Sequence, residues 1–570
     1  MTSFRIDRFR FDRANLEAWA GTDPKHLNWP VVYALDGPNH VYVGESSRGA
    51  SRLRQHLDSK EKAALRAARV VVDPTFNKSV CLDLESFLIQ MFAGDGTFSV
   101  LNKNIGVSDR DYYRRDDYQA TFDAIFEELR EAGLFTRTMP EIKNSDLFKL
   151  SPFKELTEDQ AGAVEVIVEG LFEDLAAGTS SRIVIQGAPG TGKTVVAIYL
   201  MKLLSDIQNS SEDEVVEGDE RLSDFFQPGY CELLQGFRVG LVVPQQSLRR
   251  SIERVFSKTP GLHRSQVLSP FQVGGRAEGF DLLIVDEAHR LNQRAAQAAG
   301  PLNRMFADIN KALFGEDDVQ LTQVDWIMRK SRHQIFLVDG EQSVRPADLA
   351  PHTVRALVES ARAEERHYVL RSQMRVKADD DYVAYIRSVL DGTVTERREF
   401  GEYDLRLIDD AGELQDEIRK REKEAGLARM VAGFAWPWKT KNDPEGFDIE
   451  LDGVKLRWNS TDVDWVSSKT SPDEVGSIHT IQGYDLNYAG VIIGRDLRFD
   501  PELGRPVFDR KQYFDPRGTT NNRALGIVYT DDDILQFVRN IYGVLLTRGM
   551  LGTYVYVCDE PLRAYLRRWL

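Results

Sequence analysis

From Arg182 onward, short unbroken apolar runs alternate with stretches of helical spacing: RIVIQG, RVGLVVP, FDLLIVDE and HQIFLVDG, then a second series of RHYVL, RMVAGFAW, YAGVIIG and TYVYVCD. Apolar runs without polar alternation suit strands buried on both faces, and their alternation with helices is the βαβ rhythm of a parallel sheet. Upstream the pattern differs. VVYALDGPNHVYVGE, residues 31–45, reads as two short strands joined through a Gly-Pro-Asn turn, and a helix follows with Arg52 and His56 on one face. LDLESFLIQMF, residues 82–92, reads as a helix. Alternation in FRIDRFRF, residues 4–11, predicts an amphipathic edge strand, with a basic arm reaching toward DNA as the alternative. Phe122, Ile125, Phe126 and Leu129 have helical spacing, and Gly133 and Pro140 follow, which suits a helix running into a linker.

These patterns divide the chain into a first domain over 1–115, a helical linker over 116–155, a first parallel-sheet lobe over 156–345 and a second over 346–570. Nothing repeats at a fixed short period, so a solenoid is not expected. At 570 residues, with 42% hydrophobic and 10% aromatic positions, the chain has the apolar material for several cores, which excludes wholesale disorder. Apolar runs such as LLIV fall far short of the roughly 18 residues that a membrane-spanning helix needs, and MTSFRIDRFRFDR has no signal-like apolar region. A cytoplasmic protein with no membrane partner is expected. Cys81, Cys231 and Cys558 lie far apart, outside any Cys-x-x-Cys pattern, so neither a disulfide framework nor a zinc site is indicated.

The net charge of −16 first argues against nucleic acid, whose phosphates call for Lys and Arg. Its distribution weakens that argument. Residues 205–225 hold eight acids and one Arg and read as a solvated insertion, whereas residues 1–115 carry 17 Lys and Arg against 14 Asp and Glu. Strand binding depends on a local track rather than on the sum.

The strongest chemical signal is GAPGTGKT, Gly187 to Thr194, between strand RIVIQ and helix TVVAIYLMKLL, where the pattern of a phosphate loop must stand. Gly187, Gly190 and Gly192 shape a turn whose amides, with the helix N-terminus, surround the phosphates of ATP. Lys193 would reach the β and γ phosphates, and the Thr194 hydroxyl would ligate Mg2+. In LLIVDEAHR, Asp286 and Glu287 follow an apolar strand, at the edge where a parallel sheet presents its ligands. Asp286 suits a Mg2+ contact, and Glu287 a base that orients water for hydrolysis.

With these motifs in order, residues from about Leu156 to Asp559 resemble superfamily 1 helicases and translocases, most closely the bacterial Schlafen-helicase-like ATPases. The resemblance implies that Gln160 in LTEDQ reads adenine and that VVPQQSLRRSI contacts a single strand. It makes Gln342 in FLVDGEQSV a γ-phosphate sensor, with Asp339 nearby, and Arg375 and Arg548 the arginines that reach the γ phosphate from the second lobe. It also implies that His479, Thr480, Gln482 and Gly483 couple nucleotide to strand. An arginine supplied by a second lobe makes hydrolysis depend on closure, because the phosphate-loop lobe alone lacks cations for the transition state. The aromatic run Phe434 to Lys439, with Trp458, suits either base stacking or a core.

The N-terminal set resembles a GIY-YIG nuclease domain, with VVY and YVG standing for the two triplets and Tyr33, Tyr42, Arg52, His56, Glu85 and Asn102 in the family's order. The resemblance implies tyrosines that position or activate water, an arginine on the scissile phosphate, and Glu85 holding Mg2+ or Mn2+.

The expected fold class is therefore α/β: a small α+β GIY-YIG nuclease domain followed by two RecA-like parallel-sheet helicase lobes. The expected activity is an ATP-dependent helicase or translocase coupled to an endonuclease. DNA, single-stranded or duplex, is the expected partner, and RNA stays open. Restriction or anti-phage defence is the setting the resemblance implies. The alternatives are an ATP-gated DNA sensor that licenses a nuclease without unwinding, and a DNA-repair helicase with an inactive nuclease-like DNA-binding domain.

Overall fold

A computed structural model describes residues 4–103, 112–210, 220–294, 300–339, 344–372, 381–443, 445–461, 465–481 and 484–570. The chain divides into two units: residues 1–165 with 198–235 and 252–265, and residues 166–197 with 236–251 and 266–570.

In the first unit, β1 (Arg5–Arg10), β2 (Val31–Asp36), β3 (His40–Ser46), β4 (Ala67–Val72) and β5 (Ser99–Val100) form a sheet in the order β1-β4-β2-β3-β5. All its pairs are antiparallel except β3 with β5. The run VVYAL is apolar throughout because both faces are covered: Val31, Tyr33 and Leu35 join one core with Leu16, Trp19 and Leu53, and Val32 and Ala34 join another with Leu84, Leu88 and Phe92. β1 lies at the sheet edge, and its arginines pair with acids of the same unit, Arg5 with Asp23 at 2.6 Å and Arg8 with Glu128 at 3.1 Å. That is the amphipathic edge strand, not a free basic arm.

The stretch read as a linker, 116–155, is built into this unit. Phe122, Ile125, Phe126 and Leu129 of the helix Gln119–Glu131, then Leu134, Phe135, Ile142 and Phe153, belong to the same core as Val32 and Phe92. Gly133 lies in the turn after the helix Gln119–Glu131 and Pro140 opens the short helix Met139–Lys143, so neither marks an exit from the domain.

In the second unit, β6 (Arg182–Gly187), β7 (Val239–Val242), β8 (Val267–Leu268), β9 (Phe280–Val285), β10 (Ser331–Val338) and β11 (His367–Leu370) form a parallel sheet in the order β11-β6-β10-β9-β7-β8. RHYVL, grouped with the second series in the sequence, is β11 and pairs with β6, and the helix Pro351–Ala363 packs Val354 and Leu357 into this sheet's core. The first sheet therefore continues past the expected boundary at 345.

The other sheet combines β12 (Asp404–Leu407), β13 (Ala428–Ala432), β14 (Ile449–Leu451), β15 (Val454–Trp458), β16 (Glu474–Ser477), β17 (Leu486–Ile493) and β20 (Gly549–Val557), in the order β12-β20-β17-β13-β16-β15-β14. Only the β14–β15 pair at one edge is antiparallel; β18 (Leu497–Asp500) and β19 (Arg505–Phe508) make a separate ribbon. Val431, Val491 and Val555 face the helices Tyr382–Asp391 and Asp531–Leu546, and Met430, Ile492 and Tyr554 face the helix Ala411–Ala425. Trp458 is buried in the second of these cores with Trp436 and Trp438 against it, so most of the aromatic run serves packing.

Phe126 is fully buried with its ring 4.6 Å from that of Phe135, so Phe126→Ala should cost about 3–5 kcal/mol in denaturant unfolding of the full chain. A loss below about 0.5 kcal/mol would restore the linker reading.

Candidate functional site

Because β6, β10 and β9 are adjacent and parallel, their C-terminal ends lie at one edge of the sheet, and each releases a charged or phosphate-binding element there. β6 leads through Gly187 into the glycine-rich loop, where Gly190 and Gly192 hold φ of 88° and 78°, values that cost any other residue strain. The helix Lys193–Gln208 begins at the end of the loop. Lys193 Nζ donates to the carbonyls of Gly187 at 2.6 Å and Ala188 at 2.9 Å, and stands 3.7 Å from Asp339 Oδ2 past the end of β10. A phosphate would exchange neutral acceptors around this ammonium for charged ones.

Thr194 Oγ1 donates to Asp286 Oδ2 at 2.8 Å, just beyond β9, and the Glu287 N–H donates to the other Asp286 oxygen at 3.0 Å. Asp286 is wholly buried, and burial together with the neighbouring Glu287 charge raises its pKa well above the usual carboxylate range. Burial also opposes the charged form of Glu287, but the hydrogen bond from His289, with the charges of Lys193 and Arg290, outweighs it and holds its pKa low. The two adjacent carboxyls are thus pushed in opposite directions. Glu287 has φ of 50°, a left-handed conformation that costs a non-glycine residue on the order of 1 kcal/mol and aims its side chain at His289.

His289 was not singled out in the sequence. Its Nδ1 accepts the Asp339 N–H at 3.1 Å, so its proton sits on Nε2, which lies 3.1 Å from Glu287 Oε2. The residue ties the end of β10 to the carboxylate after β9, and its position in DEAH, two residues past Glu287, was the available signal. Arg387 was also missed. Carried by the helix Tyr382–Asp391, its Nη2 lies 3.9 Å from Asp339 Oδ1, so Asp339 stands between the loop lysine and an arginine from the second sheet. A cleft of about 350 Å³ opens here, lined by Pro189 of the loop and by Val383, Arg387, Phe537 and Asn540.

Arg548 is buried between the helix Asp531–Leu546 and β20, its Nη1 donating to the Tyr484 carbonyl at 3.3 Å. His479 is partly exposed, 5.4 Å from the Phe434 ring and 3.6 Å from Asp515, and Thr480 Oγ1 bonds Ser477 Oγ at 2.8 Å. Gln160 belongs to the first unit, where its side-chain oxygen accepts the Thr157 N–H at 3.1 Å. Gln342, Arg375, Gln482 and Gly483 lie outside the described residues, as do 211–219 of the acidic insertion.

The N-terminal set converges in the first unit. Tyr33 on β2 lies across Gly44 of β3, where any side chain would collide with the phenol, and this opening lets the ring approach Tyr42 at 6.4 Å. The helix Gly49–Asp58 brings His56 Nε2 to 2.8 Å from the Tyr33 hydroxyl, and Arg52 bonds the same hydroxyl. Lys62, not anticipated from sequence, sits 2.8 Å from His56 Nδ1 and 3.7 Å above the Tyr42 ring. An ammonium only donates, so His56 carries its proton on Nε2 and gives it to the Tyr33 oxygen. Burial, then Tyr42 and Glu85, raise the Tyr33 pKa, which brings the half-buried Glu85 within electrostatic reach of the pair. Asn102 is occupied otherwise: its amide closes both ways on the Val43 main chain, at 2.7 and 3.1 Å, and so serves to hold β3. Among the described residues no group of three or more His, Cys, Asp or Glu is arranged to hold a metal, and no helix is long and apolar enough to cross a membrane.

Burial, then Lys62 and Arg52, push the His56 pKa down to about 2. An unfolded chain protonates that histidine near pH 6.5 and the folded one does not, so stability is lost as pH falls below 6.5. Between pH 7.5 and 5, His56→Gln should lose about 2 kcal/mol less stability than the unsubstituted chain. Equal losses would show that His56 is charged in the fold.

An uncharacterized protein of Saccharomyces cerevisiae is 26% identical over 419 residues, covering 68% of this chain and 84% of the yeast protein. A Pif1 helicase from Bacteroides, solved with ADP-AlF3 and single-stranded DNA, is 10% identical with a TM-score of 0.26, over 70% of this chain and 92% of its own. Arterivirus nonstructural protein 10, a helicase solved with DNA, is 12% identical with a TM-score of 0.27 over 69% of this chain; the match spans 64% of the viral chain, under two thirds of its length. Residues 180–559 match the sequence profile of Schlafen group 3, DNA/RNA helicase domain. Matched over more than half its length, the chain belongs to the Schlafen group 3 DNA/RNA helicase-domain family.

Proposed function

We propose that the chain is an ATP-dependent nucleic-acid helicase or translocase joined to a metal-dependent GIY-YIG-type endonuclease that acts on DNA in the cytoplasm, in restriction or anti-phage defence. The observation that carries the ATPase part is the buried Thr194–Asp286 hydrogen bond beside Lys193. The Thr194 hydroxyl and the buried Asp286 carboxyl of raised pKa are a donor set that suits Mg2+, an ion that takes one or two carboxylates and completes its shell with phosphates and water. When bound there, Mg2+ would neutralise phosphate charge. Glu287, kept ionised and aimed by His289, orients the attacking water, and Lys193 cradles the phosphates. Arg548 supplies positive charge from the second sheet, and Arg375 is proposed to do the same.

The nuclease part rests on the convergence of Tyr33, Tyr42, His56 and Arg52, with Glu85 in electrostatic reach. Arg52 would hold the scissile phosphate, and the tyrosines would place water with their hydroxyls set by the neutral His56. Glu85 would hold Mg2+ or Mn2+ with phosphate oxygens and water, offsetting charge on the cleaved phosphate. Asn102 acts by fixing β3, which carries Tyr42.

Lys193→Ala should lower ATP turnover on the order of 100-fold in a phosphate-release assay, and retained turnover would exclude this loop as the hydrolytic site. Glu85→Ala should abolish Mg2+- or Mn2+-dependent cutting of labelled single-stranded, duplex and forked DNA; cutting that survives it, or its absence from the unsubstituted protein, would leave the N-terminal domain without the proposed chemistry.

A further inference from the structure

Tyr484 lies between the helix Ile478–Ile481 and β17, and most of its ring is buried in the core of the second parallel sheet with Ile478, Ile481 and Leu486. Its hydroxyl points away from that core. It lies 3.0 Å from Ser251 Oγ and donates to the Ser247 carbonyl at 3.4 Å, and both serines stand on the helix Gln246–Phe256, which follows β7 of the other parallel sheet. Four residues apart, the serines share one face of that helix. A phenol has one proton to give, so with that proton on the Ser247 carbonyl, the Ser251 hydroxyl donates to the phenol. Tyr484, Ser247 and Ser251 are 6%, 5% and 0% exposed, so water cannot readily replace either bond.

The main chain of the same segment holds Arg548. Arg548 Nη1 donates to the Tyr484 carbonyl at 3.3 Å, and the Leu486 N–H donates to the Arg548 carbonyl at 3.1 Å. Arg548 is thus tied to residues 484–486 by two hydrogen bonds. Tyr484 cannot shift without breaking its bonds to the helix that presents Arg249 and Arg250, of which Arg250 is exposed.

We infer that Tyr484 is a positioning residue that links Arg548 to the helix Gln246–Phe256, so that one buried side chain transmits between the γ phosphate of a nucleotide and the phosphates of a single strand. The inference rests on the proposed ATPase reading and names the connection within it. Packing alone does not call for this chemistry: phenylalanine opposite alanine would fill the same space with no buried polar group to satisfy.

That contrast supplies the test. ATP turnover of the full chain is measured with and without a single-stranded oligothymidine, together with Tm, for the unsubstituted protein, Tyr484→Phe, Ser251→Ala and the double variant. Each single variant should lower the strand-stimulated ratio about fivefold or more, within the range of a coupling free energy between sites. In the double variant, which leaves no orphaned hydroxyl, Tm should return toward that of the unsubstituted protein while stimulation stays lost. Stimulation that returns with Tm, or a Tyr484→Phe protein stimulated like the original, would reduce the bond to packing. An unsubstituted protein that hydrolyses ATP without responding to the strand would overturn the link directly, and one that hydrolyses no ATP would overturn the reading beneath it and the link with it.

Discussion

The complete burial of the Asp286 carboxyl is the constraint on which the second unit turns. Asp286 has no solvent, and β9 delivers it to the sheet edge where β6 delivers the phosphate loop and β10 delivers Asp339. Isolated charge in such a place is costly, so the neighbours are set by what it needs. Thr194 donates a hydroxyl, Glu287 donates its amide, and Lys193 stands by with its ammonium on two carbonyls. Glu287 then requires its own stabilisation, which His289 supplies at the cost of a left-handed backbone.

The same edge faces elements of the second sheet. Asp339 lies between Lys193 and Arg387, and Arg548 is locked to the segment that bears Tyr484. A helix packed on the second sheet thus brings Arg387 to 3.9 Å from Asp339, which itself lies 3.7 Å from the loop lysine. The hydrogen bonds of Tyr484 with Ser247 and Ser251 are shielded from water, so each is either made or broken.

What the sequence revealed and what it hid divide along physical lines. The phosphate loop was legible because a glycine-rich turn with Lys and Thr at fixed spacing is local chemistry, and the strands were legible because burial on both faces leaves unbroken apolar runs. The helix Gln119–Glu131 was legible as a helix but not as core, since one apolar stripe does not say what covers it, and Phe126 found Phe135 and Phe92 by tertiary contact. RHYVL was legible as a strand, yet three apolar residues carry no mark of which sheet they join, and β11 went to β6. His289, Lys62 and Tyr484 went unseen because each acts through a partner distant in sequence or through the proton it fixes on a neighbour. Asn102 was noticed for its type and turned out to spend its amide on the β3 main chain.

The most direct test of the account is the ATP turnover of the unsubstituted full chain in Mg2+ as a single-stranded oligonucleotide is titrated in. If the two parallel sheets form a strand-responsive motor, turnover rises with the strand and saturates. Turnover that is absent, or unchanged across the titration, would contradict it.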